Sequence, residues 1–165
     1  MDSLDIKILK ALQASGRKKN VELARDLGVA PSTMLERVRN LEERGLVQGY
    51  RAIINPEMLD LNVQAFISVI INRHEADYIR KFEEAVQQIS YIRACYHLTG
   101  RFDYLLHVAA RDLKHLGELI KSSITSLPVF GKLETFLVFS EVKPDKGWPI
   151  EEDLLLRTDS KGRKK

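Results

Sequence analysis

The sequence contains a single cysteine, Cys95, so neither an intramolecular disulfide nor a zinc site built from several cysteines can form. Its first residues lack the basic start and apolar run of a secretory signal peptide. The longest apolar stretch, residues 66–71, is far shorter than the ~20 residues that a membrane-spanning helix needs. The chain also lacks a glycine-rich phosphate loop, a nucleophile elbow and a Cys-x-x-Cys pair. These absences predict a cytoplasmic protein with no catalytic residue, no metal site and no cofactor.

Net charge is also scarce. The 165 residues include 26 basic and 23 acidic side chains, which gives a formal net charge of only +3. That charge is unevenly distributed, because residues 1–55 carry +3, residues 56–157 carry −3 and residues 158–165 carry +3. With 44% hydrophobic and 30% charged residues, the composition is that of a folded chain with one large or two small domains. Positive charge is therefore expected at both ends of such a chain.

The first fifty residues have the pattern of three helices. Apolar side chains in residues 4–12 recur with helical spacing. Asn20 is predicted as the N-cap of a short second helix, and Gly28 ends that helix in a left-handed conformation. Pro31 begins the third helix, where its missing N–H is no loss. Two helices joined through a glycine turn predict a helix-turn-helix from Asn20 to Arg39.

The third helix turns polar side chains of DNA-binding types away from its apolar stripe. Arginine pairs with guanine or phosphate, asparagine reads adenine, and hydroxyl groups bind phosphate. The alternative is an ordinary solvated helix face, but the helix-turn-helix layout and the basic run 17–19 favour DNA. We therefore predict contacts with double-stranded DNA through Arg17, Ser32, Thr33, Glu36, Arg37, Arg39, Asn40 and Arg44.

After Gly45 the apolar period changes from helical to extended. Residues 46–54 are rich in strand-forming residues and are predicted as a strand that leads out of the first domain before Asn55-Pro56. The resulting division has three parts. Residues 1–55 form a helix-turn-helix domain with this hinge strand, residues 56–145 form a second domain, and residues 146–165 form a partly disordered tail.

The second domain alternates strand and helix patterns. The order is βαββαβ, which predicts a ferredoxin-like antiparallel sheet with two helices on one face and gives the whole chain an α+β fold. In the first helix of this domain the predicted inward residues include Phe82 and Val86, and in the second they are Leu113, Leu116, Ile120 and Leu127. The predicted strands are 65–72, 92–99, 104–110 and 133–142, and the predicted helices are 75–89 and 112–127.

Simple alternation in strand 92–99 puts Ile92, Ala94, Tyr96 and Leu98 on one face and Arg93, Cys95, His97 and Thr99 on the other. Neither face is fully polar, so the open side of the sheet is expected to be covered by a second copy of the chain. Cys95, His97 and His107 have the residue types of a metal cluster, but sheet-face packing is the favoured interpretation.

The turn at residues 100–103 has two interpretations. Gly100 lets a ligand approach the backbone, free N–H groups can receive a carboxylate, and Asp103 can receive an ammonium group. Alternatively, the glycine and the aspartate only form a tight hairpin. The residues alone leave both interpretations open.

Two motifs in this order resemble the Lrp/AsnC family, the leucine-responsive or feast/famine transcription regulators. One is the helix-turn-helix, and the other is the glycine-aromatic-aspartate signature of the family's amino-acid-metabolism (RAM) domain. The resemblance extends from residue 3 to residue 145. The family usually has Ser-Pro-Thr-Pro at the start of the recognition helix, whereas Ala30 stands first here and cannot cap the helix with its side chain. The matching residues are Val21–Ala24, Gly28, Pro31, Leu35–Arg39, Leu41-Glu42, Gln48–Ala52, Asn55-Pro56 and Leu98–Leu106.

The resemblance implies a nucleoid-associated transcription regulator with a winged helix-turn-helix and a RAM domain. It further implies dimers, commonly four in a ring, on pseudo-palindromic DNA. A small effector, usually an amino acid, binds between dimers in this family. For this chain the resemblance favours an effector site at Thr99, Gly100, Arg101, Phe102 and Asp103.

Two other functions compete with this prediction. A small-molecule sensor could use its helix-turn-helix for protein contacts, and it would then show no salt-dependent DNA binding. An enzyme on a ferredoxin-like fold is the other alternative, and the lack of a paired acid and base or of a nucleophile argues against it.

Overall fold

A computed structural model of the chain describes residues 1–72, 75–127 and 130–151. The chain divides into two compact units. One contains residues 1–53 together with the segment that begins at Lys143, and the other contains residues 54–142. The predicted limits, after residues 55 and 145, remain a prediction. Residues 152–165, which include the basic end of the predicted tail, lie outside the described residues.

The first unit has the three expected helices, α1 (Ser3–Ala14), α2 (Asn20–Leu27) and α3 (Pro31–Glu43). Each buries one apolar stripe against the other two, as amphipathic helices do. Ala24 of α2 is only 1% exposed and belongs to the core that the three helices share. The buried residues shared by the three helices are Ile8, Leu12, Leu23, Ala24, Met34, Val38 and Leu41.

The helix ends follow the local sequence, with one correction. Gly28 ends α2 in the left-handed region at φ +69°, and Pro31 is the first residue of α3, both as predicted. Asn20 is not the N-cap of α2, because Lys19 occupies that position and Asn20 is already helical. The side chain of Glu22 explains the difference, since it accepts the backbone N–H of Lys19 at 3.3 Å.

The prediction of a strand over residues 46–54 is wrong for the described chain, which has no regular element between α3 and residue 57. Strand propensity is present in this segment, but a strand also needs a neighbour to receive its hydrogen bonds. None of the described residues pairs with it as a strand. Most of its apolar side chains are exposed, up to 97% at Ile53, whereas Val47 is partly buried against the core of the first unit.

The second unit begins with a short 3₁₀ turn (Glu57–Leu59), and its described residues form four strands and two α-helices. The sheet order is β2-β3-β1-β4, and every neighbouring pair is antiparallel. This is the expected βαββαβ arrangement. Its elements are β1 (Val63–Ile71), α4 (Ala76–Gln87), β2 (Ile92–His97), β3 (Tyr104–Ala110), α5 (Leu113–Leu119), a π-helical turn (Ile120–Ile124) and β4 (Phe130–Leu137).

One face of this sheet packs against the helices and forms the core of the unit. The fully buried side chains include Phe82 of α4, Ile67 of β1 and Tyr104 of β3. The rings of Phe82 and Tyr104 lie 4.6 Å apart. Leu113 was predicted to point into this core, but it is the first residue of α5 and is 62% exposed. The π-helical turn that follows α5 brings Ile124 inward instead.

Two strands differ from their predicted form. A bulge between Ile92 and Ala94 shifts the register of β2, so that Ile92 faces the helices together with Cys95 and His97 rather than lying on the face of Tyr96. β4 ends at Leu137 instead of Val142, because Leu137 pairs with Ala65 near the start of β1 and little of β1 remains beyond that point.

Candidate nucleic-acid interface and effector turn

The outward side of α3 carries the predicted DNA-contacting residues. Met34, Val38 and Leu41 are buried, and the helical spacing directs the polar residues to the opposite side. All of the following side chains are exposed: Ser32, Thr33, Glu36, Arg39, Asn40 and Arg44. We refer to these six residues as the outward face of α3. Donors and acceptors that match base edges and phosphates are thus grouped on one accessible surface.

The cations of this unit differ in how far they are neutralised. Arg39 Nε lies 2.7 Å from Glu43 Oε1 on the same helix, and Lys18 forms an ion pair with Asp26. The hydrogen bond from Lys18 is the main reason why the pKa of Asp26 is lowered. Arg17 and Arg44 are exposed and have no ion-pair partner among the residues that the structure describes. Among the predicted DNA-contacting cations, Arg17 and Arg44 are therefore the most available to phosphate.

Arg37 is the one predicted DNA contact on α3 that does not join the outward face. Its Nη1 donates to Asp2 Oδ2, and to Asp5 Oδ1 at 2.9 Å, at the start of α1. Hydrogen bonding to Asp2 and then to Asp5 raises the pKa of Arg37. The guanidinium group is thus directed toward α1.

The sequence patterns gave no sign of two further contacts in this unit. Tyr50 donates its hydroxyl to Glu42 Oε1 at 2.9 Å, and its ring lies against Gly16. Burial and the Glu42 carboxylate raise the pKa of Tyr50 to about 12. The carboxamide of Gln13 pairs with the backbone of Trp148 through hydrogen bonds of 2.7 and 3.0 Å. Gln13 and Trp148 are 135 positions apart, and Glu42 and Tyr50 are 8 apart. Neither spacing is that of neighbours on a helix face, so periodicity carries no signal for these contacts.

The predicted effector turn connects β2 and β3 and is held to β1 by Asp103. Leu98 N–H donates to the Asp103 carbonyl at 2.8 Å, and Asp103 N–H donates to the Val69 carbonyl at 2.9 Å. The Asp103 carboxylate accepts the Ile71 N–H through Oδ2 at 2.8 Å. Gly100 has φ +137°, a conformation that favours glycine. Asp103 therefore stabilises the hairpin between β2 and β3, as one of the two interpretations expects.

The same turn retains free binding capacity. Within the described ranges, no acceptor is recorded for the backbone N–H groups of Thr99, Gly100, Arg101 and Phe102. Arg101 lies 3.6 Å from Glu134 and is 77% exposed, so its charge is only loosely balanced. Unpaired N–H groups next to a carboxylate suit a ligand that carries both signs of charge.

An open depression of about 420 Å³ lies between α4 and β2. Its lining includes Glu83, which accepts the Tyr104 hydroxyl at 2.8 Å, and His97, whose ring stacks on Tyr104. Cys95 is exposed at this depression, and desolvation by its neighbours, followed by the Glu83 carboxylate, raises the pKa of its thiol to about 11. His107 lies on the opposite sheet face, stacked on Phe66. The predicted sequence cluster of Cys95, His97 and His107 is thus divided between two faces.

Both units of the chain are similar to known protein families. A family model described as a winged helix-turn-helix DNA-binding domain matches residues 1–48, and one described as the Lrp/AsnC ligand binding domain matches residues 64–148. The leucine-responsive regulatory proteins of Klebsiella pneumoniae and Escherichia coli (strain K12) are each 38% identical over 143 residues, which is 87% of this chain and 87% of each relative. The chain belongs to the Lrp/AsnC family. It is therefore a DNA-binding transcription regulator of Lrp type with a ligand-binding domain.

Solved structures of Lrp/AsnC regulators share the fold. A transcriptional regulator from Neisseria meningitidis, in complex with L-methionine, is 34% identical with a TM-score of 0.86, covering 90% of this chain and 96% of its own. The E. coli AsnC structure is 26% identical with a TM-score of 0.78, covering 89% of this chain and 99% of its own. The predicted family, fold class and non-enzymatic role are confirmed. In the described part of the chain, no helix is both long and apolar enough to cross a membrane.

Proposed function

We propose that this Lrp/AsnC regulator binds pseudo-palindromic duplex DNA as a dimer, through the outward face of α3 and Arg17, under the control of a small amino acid. The observation that carries the proposal is the outward face itself, which groups an asparagine, two arginines, two hydroxyl side chains and one glutamate opposite the packed stripe of a helix-turn-helix. Such a helix presents its polar side to the major groove. The protein would act in the cytoplasm on nucleoid DNA.

Assembly is part of the same proposal. The sheet face that the helices leave open includes Tyr96, 52% exposed, and Phe136, 43% exposed. Aromatic side chains left this accessible are suited to contact with another protein surface. A second copy of the chain on this face gives the two-fold symmetry that pseudo-palindromic sites require, and a ring of four dimers extends the arrangement.

The amino-acid effector is proposed to bind near residues 99–103, between dimers. The available N–H groups of the turn match a carboxylate, and the second carboxylate oxygen of Asp103 matches an ammonium group. The L-methionine complex of the Neisseria regulator supports an amino acid as the ligand class. A ligand that prefers one arrangement of the assembly shifts the population toward it, and so changes DNA affinity.

Substitution on the outward face tests the DNA proposal. Asn40→Ala removes a proposed base contact, and Arg44→Ala removes an exposed cation. We expect Asn40→Ala to weaken specific binding by about 1–3 kcal/mol, and Arg44→Ala to weaken binding to all duplexes with a smaller salt slope. Titration of a selected duplex by fluorescence anisotropy measures both effects.

The matched control is Arg80→Ala, which removes an exposed arginine of α4 in the other unit. Its DNA affinity should equal that of the unmodified chain. If Asn40→Ala and Arg44→Ala also bind with unchanged affinity, the outward face of α3 is not the DNA-binding surface.

A further inference from the structure

Arg37 belongs to α3, but its position on the helix differs from that of the outward face. It precedes buried Val38 and follows buried Met34 by three residues, so it lies at the edge of the packed stripe. Its side chain is 36% exposed, compared with 75% for Arg39 on the outward face. From this edge it reaches α1 rather than solvent.

The two carboxylates that receive Arg37 are themselves fixed by the start of α1. Asp2 and Asp5 form a reciprocal capping pair, in which Asp5 N–H donates to Asp2 Oδ1 at 3.0 Å and Asp2 N–H donates to Asp5 Oδ2 at 2.9 Å. The remaining oxygen of each carboxylate accepts Arg37 Nη1. Each acid therefore uses one oxygen for α1 and the other for α3.

Releasing Arg37 to DNA would be unfavourable. Asp5 is only 6% exposed, and it is one of two buried polar residues among those that the structure describes. If a buried carboxylate loses its cation, the unfavourable free energy of its desolvation is no longer offset by the ion pair. The hydrogen bonds from the Asp5 backbone and from Arg37 also lower the pKa of Asp2, which stabilises the charged pair.

We propose that Arg37 is a positioning residue for DNA recognition, which holds α3 against the N-terminal end of α1 and so fixes the direction of the outward face. This inference rests on the proposed DNA-binding function of that face. The contact resists both rotation of α3 about its axis and displacement from α1. A recognition helix that shifts weakens all of its base contacts together, while contacts with phosphate tolerate the shift.

The test compares Arg37→Gln with the double variant Asp2→Asn/Asp5→Asn. Asparagine retains both capping hydrogen bonds, because its side-chain oxygen still accepts a backbone N–H, but it removes the charge that holds Arg37. A positioning role predicts that both variants lose about tenfold in affinity for the selected duplex, with unchanged affinity for random duplex and an unchanged salt slope. If Arg37 instead contacted DNA directly, the two variants would change DNA affinity in opposite directions. Arg37→Gln would weaken binding, whereas Asp2→Asn/Asp5→Asn would strengthen it by removing two acids and freeing Arg37.

Three controls complete the experiment. Arg44→Gln shows the reduced salt slope of a lost phosphate contact, about 0.9 per contact, and Arg80→Gln should bind like the unmodified chain. Arg37→Lys should retain most of the specificity, because a single nitrogen makes both contacts with the acids. Circular dichroism and melting temperatures verify that each variant is folded, and Arg37→Lys provides the comparison if either of the charge-removing variants unfolds.

Three results would each overturn the positioning role while leaving the proposed DNA-binding function in place. They are tighter binding by the double variant, a smaller salt slope for Arg37→Gln, and unchanged specific affinity for Arg37→Gln. If the unmodified chain binds no duplex, the proposed function fails and the positioning role fails with it.

Discussion

At the residue scale, two aspartates with similar local chemistry stand at opposite ends of β3. Asp103 accepts the Ile71 N–H at 2.8 Å, and Asp112 accepts the His115 N–H at 2.7 Å. Their surroundings differ, because Asp112 caps a helix whereas Asp103 lies beside the unpaired N–H groups of residues 99–102. Asp112 therefore has a structural role only, whereas Asp103 can also bind a ligand.

We predict that Asp103→Asn abolishes stabilisation by the amino-acid effector and leaves the chain folded. Asparagine still accepts the Ile71 N–H, so the melting temperature without ligand should change little, but its neutral side chain no longer attracts an ammonium group. A thermal-shift screen against the twenty amino acids first identifies the ligand, because a ligand that binds only the native state raises the melting temperature. The same ligand is then titrated into the variant.

Asp112→Asn provides the control, since asparagine is an equally good N-cap and the effector response should be retained. An effector response of normal size in Asp103→Asn would contradict the proposed role of the turn. If no amino acid gives a response in the unmodified chain at millimolar concentration, the amino-acid assignment itself is contradicted.

At the element scale, most of the fold follows from local patterns. The three helices of the first unit are predicted by apolar spacing and by Gly28 and Pro31, and β3 is predicted with its observed limits. Strand 46–54 was predicted wrongly because strand formation depends on a neighbour that local sequence does not specify. The bulge in β2 was missed for a similar reason, since an inserted residue breaks alternation without a distinct sequence signal.

The candidate site divides in the same way. Exposure of the outward face of α3 follows from helical spacing, which is a local property. The contact of Arg37 with Asp2 and Asp5 joins residues more than thirty positions apart. Only the packing of α3 against α1 brings them together, so the sequence pattern placed Arg37 among the DNA contacts.

The turn between α2 and α3 permits a test of one element. We predict that Gly28→Ala lowers the free energy of unfolding by about 1 kcal/mol, because alanine is strained at φ +69°. No atom lies within 4 Å of the added Cβ, so steric contact contributes nothing to this loss. Urea denaturation followed by circular dichroism measures the change.

Gly117→Ala is the matched control. An added Cβ is equally free of contacts there, but Gly117 lies within α5 and has an ordinary helical conformation. Alanine should therefore raise the free energy of unfolding by up to about 1 kcal/mol. A change of the same sign in both variants would show that backbone conformation at Gly28 is not the determining factor.

At the scale of the whole molecule, the small net charge of +3 becomes consistent with DNA binding once it is divided. The segment 1–55 carries +3 by itself, while residues 56–157 carry −3. One patch of +3 binds DNA weakly, but a dimer or a larger ring presents several such patches to one duplex. Because the second contact is then intramolecular, the overall affinity exceeds that of a single unit. Assembly and DNA binding are thus expected to be linked.

DNA binding by a dimer is tested most directly by the affinity of the full chain for a duplex selected from a random-sequence library, at several salt concentrations. Binding through two copies of the outward face predicts a selected site with two-fold related half-sites about one helical turn apart, bound at least about 10³-fold more tightly than a scrambled duplex. It also predicts that log affinity decreases linearly with log salt concentration. Failure to select any duplex, or an affinity that does not change with salt, would contradict it.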